Sequence, residues 1–496
     1  MAVFGGMIAN SKTDRSRWLA LYVLCLGVLM IVLDATIVNV ALPDIQDDLG
    51  FSQSSLAWVV NAYLIAFGGL LLLAGRVGDL SSRRGVFLAG LGVFTAASLI
   101  CGLAPSQEVL IGARFVQGIG GAMTSAVVLG MIVTMFPEPR EQAKAIGIYA
   151  FVASAGGSVG LIAGGVLTEA INWHWIFFVN VPIGLATAAF ALKLLAAEPR
   201  QHAGQGADVL GGTLITAALM LGVYTIVKPA AEDGWAAPQT LLLGGLALAL
   251  AAAFVARQGT ASNPLVPLRI FRSRNVSGAN LIQILSVAGM FGMFFLGSLY
   301  MERVLGYDAL ELGLAVLPVT LVMGTLSVRF SEPLITRFGA RAMVIPGLAL
   351  IAVGLAWFAR VPVDGSYVAD VLPTMVLIGA GAGLTFPALM TIAMSGATPS
   401  DAGLASGLVN TTVQVGGALG LAVLATLSAT RTEQLVGDGA STASALTDGY
   451  RLAFAIAALL VAAAVVVALT VLKSDRPVNA ADEPAQHGLE LAGAEA

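Results

Sequence analysis

The feature that most constrains this chain is a rhythm of long apolar stretches almost free of acidic and basic residues. They run approximately 18–43, 49–75, 85–107, 109–137, 145–168, 170–192, 209–227, 234–256, 275–301, 312–328, 342–359, 371–400, 402–430 and 452–472. Only Asp34 interrupts the first and only Arg114 the fourth. A helix of about 20 apolar residues crosses a hydrocarbon layer of roughly 30 Å. The pattern therefore predicts an all-α polytopic membrane protein with fourteen spans.

Composition agrees. Hydrophobic residues make up 57% of the 496 and charged residues 11%, against roughly 25% charge in a water-facing globular domain. The excess apolar surface needs lipid to cover it. Cytoplasmic loops of membrane proteins are enriched in Lys and Arg. With the N-terminus inside and loops alternating, 19 of the 25 Lys and Arg fall inside, 5 outside and Arg114 within a span. Both termini are then expected in the cytoplasm. The tail 474–496 is polar and expected to be disordered. Lys12, Arg15 and Arg17 precede the first run without a small-residue cleavage pattern, so that run is expected to be retained. Cys25 and Cys101 lie inside apolar runs and read as small hydrophobes. No basic cluster suggests nucleic acid, and no metal site is expected.

Asp34 and Arg114 carry the chemistry. A charge deep in a span costs at least ~2.5–3.5 kcal/mol on insertion scales, and such residues face a cavity or a partner. Asp34 reads as a protonatable carrier and Arg114 as the fixed charge that tunes it, since desolvation and a neighbouring guanidinium act on a carboxyl in opposite senses. A permanent structural ion pair is the plainer alternative. In the loop after the second run, Gly75, Asp79, Arg83 and Arg84 read as a latch, with the acid at a helix end where a dipole can hold it. Gly156, Gly160 and Gly164 recur at i, i+4, i+8 and, with Gly165, give one helix a smooth face for close approach.

On these motifs the chain resembles the major facilitator superfamily, and within it the fourteen-helix drug:proton antiporters of the QacA/EmrB type. The segment from Asp34 to Pro43 is similar to that subfamily's first-helix signature. Gly75–Arg84 resembles the loop 2–3 motif, Arg114–Ala122 the fourth-helix motif linked to proton coupling, and Gly156–Gly165 the fifth-helix antiporter motif. Trp173–Phe177 followed by Asn180-Val181-Pro182 resembles the entry to helix six. Leu80, Ser82, Leu161 and His174 depart from the usual residues, and Leu161 bears most on transport direction.

The resemblance implies two six-helix bundles, 18–197 and 261–473, around a central cavity. A short cytoplasmic N-terminus, 1–17, would precede them, and spans 7 and 8 would be inserted at 198–260. It implies alternating access about a midplane site in the bacterial inner membrane. The expected function is proton-coupled efflux of lipophilic or monocationic drugs, with no cofactor and the proton gradient as energy source. Small-molecule substrate, protons and the lipid bilayer would be the partners, and a monomer the working unit. Candidate cavity residues are Asn39, Trp58, Asn61, Tyr63, Gln117, Asn280, Gln283, Phe294, Tyr300, Phe386, Asn410 and Gln414. Pockets of this kind are mostly apolar with a few polar groups.

A dedicated exporter or importer of one secondary metabolite shares all these features. An intramembrane enzyme or sensor does not fit. The three histidines, His174, His202 and His487, lie outside the deep parts of spans, and no nucleotide-binding glycine loop is present.

Overall fold

The computed structural model describes residues 2–136, 138–195, 208–395 and 402–473, and the tail 474–496 lies outside them. The helices that follow the expected spans are α1 (Ala2–Leu49), α2 (Gln53–Leu80), α3 (Arg83–Gly102), α4 (Gln107–Met135), α5 (Pro139–Ala170) and α6 (Asn180–Leu194). A single turn, Trp175–Phe178, precedes α6. Then come α7 (Val209–Val227), α8 (Pro238–Thr260), α9 (Arg274–Arg303), α10 (Ala309–Thr325), α11 (Ala340–Phe358), α12 (Leu372–Ser395), α13 (Ala402–Gly437) and α14 (Thr442–Thr470). Among the described residues, eleven helices are long and apolar enough to cross a membrane. Shorter apolar segments at Ser55–Leu71, Val159–Ala170 and Leu310–Thr325 lie in α2, α5 and α10.

Local chemistry sets the boundaries. Ser52, Ser82 and Ser106 cap α2, α3 and α4 by accepting from the backbone N–H groups of Ser55, Gly85 and Val109. Asp308 and Glu311 form a reciprocal capping box at the start of α10. That box fixes the start of a helix whose apolar run is among the shortest in the chain. Past α10 the chain makes a π-helical turn, Leu326–Phe330, and a short helix, Ser331–Phe338, which stops at Gly339 with φ +85°.

The helix pairings repeat. In the first six, α1 packs on α5 and α6, α4 on α2 and α3, and α3 on α6. Adding eight to each number gives the second set: α9 on α13 and α14, α12 on α10 and α11, and α11 on α14. The two sets meet along α2–α13 and α5–α10, with lesser contacts of α1 to α9 and α10. The hairpin α7–α8 sits outside this arrangement. α7 lies against α2 and α13, while α8 leans on α7 and leaves Leu241, Leu242 and Leu248 exposed. Such a face is apolar because it meets lipid.

The glycine stripe does what its spacing predicts. A methyl group on Gly160 would strike Thr36 Oγ1 and come within 2.9 Å of the Leu33 carbonyl, while Gly164 sits against the Ile37 carbonyl. Close approach of small residues is how membrane helices gain packing contact without a hydrophobic driving force between them. Here it seats α5 on the stretch of α1 that carries Asp34. Gly165 and Leu161 instead approach Gly313 of α10, across the seam between the two sets.

Candidate functional site

Asp34 and Arg114 meet. Arg114 Nη1 donates to Asp34 Oδ2 at 2.6 Å, and neither side chain has more than 1% of its surface exposed. Arg114 and Gln117 are three residues apart on α4 and so share a face, which turns both towards α1. Gln117 Nε2 donates to Asp34 Oδ1 at 2.7 Å and to Ser98 Oγ at 2.7 Å, while its Oε1 accepts from Arg114 Nη1 at 2.6 Å. Asn180, the first residue of α6, donates through Nδ2 to Asp34 Oδ1 at 2.9 Å. Arg114 Nε donates to the Val59 carbonyl at 2.9 Å, and the guanidinium lies 4.4 Å above the Tyr63 ring and 5.7 Å from that of Phe177. Four helices beside α1 thus contribute to one buried network.

Beside it lies a cavity of about 980 Å³ whose wall includes Asn39, Tyr63, Phe294, Phe386 and Gln414, five of the expected residues. Met290 and Phe291 add to the wall. It extends to Gly75, Arg76, Arg83 and the stretch 262–265 at one end of the molecule. No Asp or Glu is among its described lining residues. Asp34 is sealed behind the wall, with Tyr63 between the ion pair and the open space.

Several expected cavity residues lie elsewhere. Gln117 belongs to the ion-pair network because its position on α4 puts it beside Arg114. Asn280 is engaged between helices: Thr412 Oγ1 donates to its Oδ1 at 2.8 Å and its Nδ2 donates to the Val276 carbonyl at 2.8 Å. Tyr300 donates to the Pro362 carbonyl at 2.7 Å and packs edge-on against Phe358 and Tyr450. Trp58, Asn61 and Gln283 are buried away from the lining, and both amide atoms of Asn61 lack a hydrogen-bond partner. Polar side chains in spans commonly hydrogen-bond across helices, as Asn280 does here with Thr412. The Asp79 and Asn410 side chains lie outside the described residues.

The latch residues bind helices together at the mouth of the cavity. Arg83 Nη1 donates to the Gly130 carbonyl at 3.2 Å and to Thr134 Oγ1 at 2.9 Å, tying α3 to the end of α4. Arg84 Nη2 donates to the Leu192 carbonyl at 2.7 Å, a cation at the C-terminal end of α6. A Cβ on Gly75 would meet Ala126 at an ordinary 3.7 Å. The glycine this contact demands is Gly78, where a Cβ would run into Val127.

Three further arrangements escaped the sequence reading. At the end away from the cavity mouth, Arg303 of α9 pairs with Asp47 of α1. At the start of α7, Asp208 caps the helix by accepting from Gly211 N at 3.0 Å, and accepts from Arg257 Nε at 3.1 Å and Gln258 Nε2 at 2.9 Å. Burial pushes the Asp208 carboxyl up, but the Gly211 amide, Gln258 and Arg257 together hold it below the ordinary carboxylate range. Gln258 Oε1 in turn accepts from Val266 N at 2.9 Å, tying the linker into the same cluster. Near the Arg303–Asp47 end, Trp173 Nε1 donates to Asp48 Oδ2 at 3.0 Å and stacks on His174 at 3.8 Å. Burial lowers the His174 imidazole from its ordinary value against the opposing pull of Asp48.

Paired sets of membrane-length helices around a drug-sized cavity, with a buried ion pair on its flank, define a polytopic membrane transporter. The chain belongs to the Major Facilitator Superfamily, whose family profile matches residues 24–421. It is 36% identical over 478 residues to the puromycin resistance protein pur8 of Streptomyces alboniger, covering 95% of this chain and 94% of that one. It is 41% identical over 426 residues to the cephamycin export protein CmcT of Amycolatopsis lactamdurans, covering 85% and 87%. It is 34% identical over 414 residues to the tetracenomycin C resistance and export protein of Streptomyces glaucescens, covering 84% and 76%. Among solved structures, a bacterial homologue of the human lysosomal transporter Spinster, inward-facing and unoccupied, superposes with a TM-score of 0.68 at 18% identity, covering 93% and 99%. That likeness speaks to the fold. The chain is a membrane transporter and not an enzyme, with antibiotic resistance and export proteins among its relatives.

Proposed function

We propose that this protein is a fourteen-span, proton-coupled exporter of antibiotics or similar lipophilic compounds, working by alternating access in a bacterial cytoplasmic membrane. The observation that carries the reading is the Asp34–Arg114 pair, fully buried one side chain away from a large apolar cavity. The division into bundles 18–197 and 261–473 with an insertion at 198–260 is supported by the repeat of the helix pairings at an offset of eight helices. With the arginine-rich end in the cytoplasm, the cavity opens inward and Arg303–Asp47 closes the outer side.

In this scheme protonation of Asp34 weakens its hold on Arg114. The freed guanidinium, stacked on Tyr63, moves the cavity wall with it. Discharge of the proton on the other side restores the pair. A bidirectional device needs an acid whose ionised and neutral forms are both reachable, and burial and ion pairing pull in opposite senses on that balance. The described cavity wall offers aromatic faces, amides and hydroxyls, with Arg76 and Arg83 towards its mouth and no carboxylate. It suits uncharged lipophilic cargo better than a multiply charged cation.

Reconstituted protein with an imposed pH gradient tests this, using a panel of dyes and antibiotics on the native chain and Asp34→Asn. Gradient-driven uptake by the native protein that a protonophore and Asp34→Asn both abolish is the expected result. Uptake indifferent to the gradient would overturn it. A second reading, a dedicated exporter of one metabolite, is favoured by relatives named for single antibiotics. Competition across the panel separates the two.

A further inference from the structure

The groups bonded to Asp34 differ in what they can do when its charge changes. An ionised carboxylate only accepts, and a protonated one must also donate. Arg114 has no acceptor. Gln117 Oε1 is already taken by Arg114 Nη1 at 2.6 Å and faces Cys101 Sγ at 3.8 Å. Turning the Gln117 amide would put an N–H against a guanidinium. Ser98, behind Gln117, spends its own proton on the Phe94 carbonyl at 2.8 Å. The Val59 carbonyl serves Arg114 Nε. That leaves Asn180. Its Nδ2 donates to Asp34 Oδ1, and its own Oδ1 is buried with no hydrogen-bond partner. Buried acceptors are rarely left empty, and each exception calls for a reason.

We propose that Asn180 is the hydrogen-bond switch that lets Asp34 hold a proton: its amide donates through Nδ2 to the ionised carboxylate and turns over to accept, through Oδ1, from the protonated one. This rests on the proton-coupling reading of Asp34. The proton comes from water, forms an O–H bond at Asp34 Oδ1 and leaves by the same bond breaking. Exchange of the amide nitrogen and oxygen is nearly isosteric, so the core need not repack. In each state one amide atom is paired and the other is not, so the turn itself favours neither. Asn180 is the first residue of α6, after the break at Val179, and its amide makes no bond to its own helix. The other titratable or charged groups around the pair are Arg114 from α4, Tyr63 from α2 and Cys101 from α3. From α5, Gly160 meets Thr36 and the Leu33 carbonyl beside Asp34 on α1, and Phe177, in the turn before α6, lies 5.7 Å from the guanidinium. Of these only Arg114 is hydrogen-bonded to Asp34, and it has no acceptor to offer.

Asn180 is therefore a positioning residue, and the readout is spectroscopic. pH-difference infrared spectra of the purified protein in lipid nanodiscs should show a carboxyl C=O band on acidification that Asp34→Asn removes. A primary-amide C=O band should fall in frequency in step with it and respond to ¹³C-asparagine labelling. Asn180→Leu should lose the amide band, move the carboxyl band up to that of an unbonded acid and slow gradient-driven transport about tenfold. Asn180→Ser, whose hydroxyl can donate or accept, should restore the carboxyl band. Native protein in which Asp34 protonates with no change in any asparagine band overturns the proposal without recourse to a variant. An Asn180→Leu carboxyl band identical to the native one does the same. Intact gradient-driven transport by Asp34→Asn would sink the underlying reading instead, whatever the bands show.

Discussion

Arg303 of α9 grips Asp47 of α1 with both terminal nitrogens, Nη2 at 2.6 Å from Oδ1 and Nη1 at 3.0 Å from Oδ2, and Nη2 also reaches the Pro43 carbonyl at 3.2 Å. This clamp joins the two sets of helices at the end where the cavity is closed. Asp47 is largely exposed, and exposed pairs are worth about 0.2–1 kcal/mol. Arg303→Gln should therefore shift the balance between closed and open forms at this end by a few-fold, not abolish transport. Spin labels at Ser52 and Asp308 should report a larger long-distance population in the variant. An unchanged distance distribution would remove the clamp from the account.

Arg114→Ala should be worse than Asp34→Asn. In Asp34→Asn, Arg114 keeps the Val59 carbonyl, Gln117 Oε1 and the Tyr63 ring. In Arg114→Ala a carboxylate with no exposed surface loses its counter-ion, a change that costs on the order of 3–5 kcal/mol. Thermal melting in detergent should fall much further for Arg114→Ala, and partial rescue by adding Asp34→Asn should follow. Equal melting of the two single variants would contradict this.

Gly160→Val should separate α5 from α1. Its side chain would land on Thr36 and the Leu33 carbonyl, and backbone gives little ground. Overpacking of a tight core costs about 1–3 kcal/mol. Gly75→Ala, with an ordinary 3.7 Å neighbour, should melt like the native protein, whereas Gly78→Ala should not. The three melting curves test the assignment of tight and open glycines together.

The Asp208 cluster makes a prediction about pH. Its folded carboxyl lies below the ordinary aspartate value of about 3.9, so its contribution is complete above that value. It is lost as pH falls through the lower, folded one. Melting temperature between pH 6 and pH 3 should fall more steeply in the native protein than in Asp208→Asn, which keeps a side-chain oxygen for Gly211 but no charge for Arg257. Parallel slopes would show that the cluster carries no titrating stability.

Tyr63→Phe tests the cavity wall. The Tyr63 hydroxyl and Gln414 Oε1 are buried without partners on residues that line the cavity from opposite sets of helices. Loss of one net hydrogen bond is worth about 0.5–1.5 kcal/mol. KM for a hydrogen-bonding cargo should rise by up to roughly tenfold in Tyr63→Phe, with kcat unchanged. A change in kcat alone would move Tyr63 from cargo binding to the ion-pair machinery.

Much of the fold was legible because its signals are local. Apolar runs locate the spans, a glycine every fourth residue marks a contact face, and Asp34 and Arg114 stand out against a background of leucine and valine. The partners of those residues were not legible. Asn180 lies 146 residues from Asp34 in sequence, and only the packing of α1 against α6 brings them together. Asn280 and Tyr300 looked like cavity residues because a polar side chain in a span has the same appearance whether it greets a ligand or a neighbouring helix. Gly75 and Gly78 sit three residues apart in one motif, and only the position of Val127 tells which of them must lack a side chain.

The repetition of helix pairings is not matched by a repetition of charge. Among the described residues the fully buried ionic groups are Asp34, Arg114 and Asp208, and none belongs to α9–α14. The second half mirrors the first in shape, while its described ionic groups, Glu302 and Arg303 of α9 among them, are only partly buried. On the proposed reading a proton taken up by Asp34 acts on the first flank, and its effect passes to the second through the seams at α2–α13 and α5–α10. Faults in coupling should then map to those seams as readily as to the acid itself.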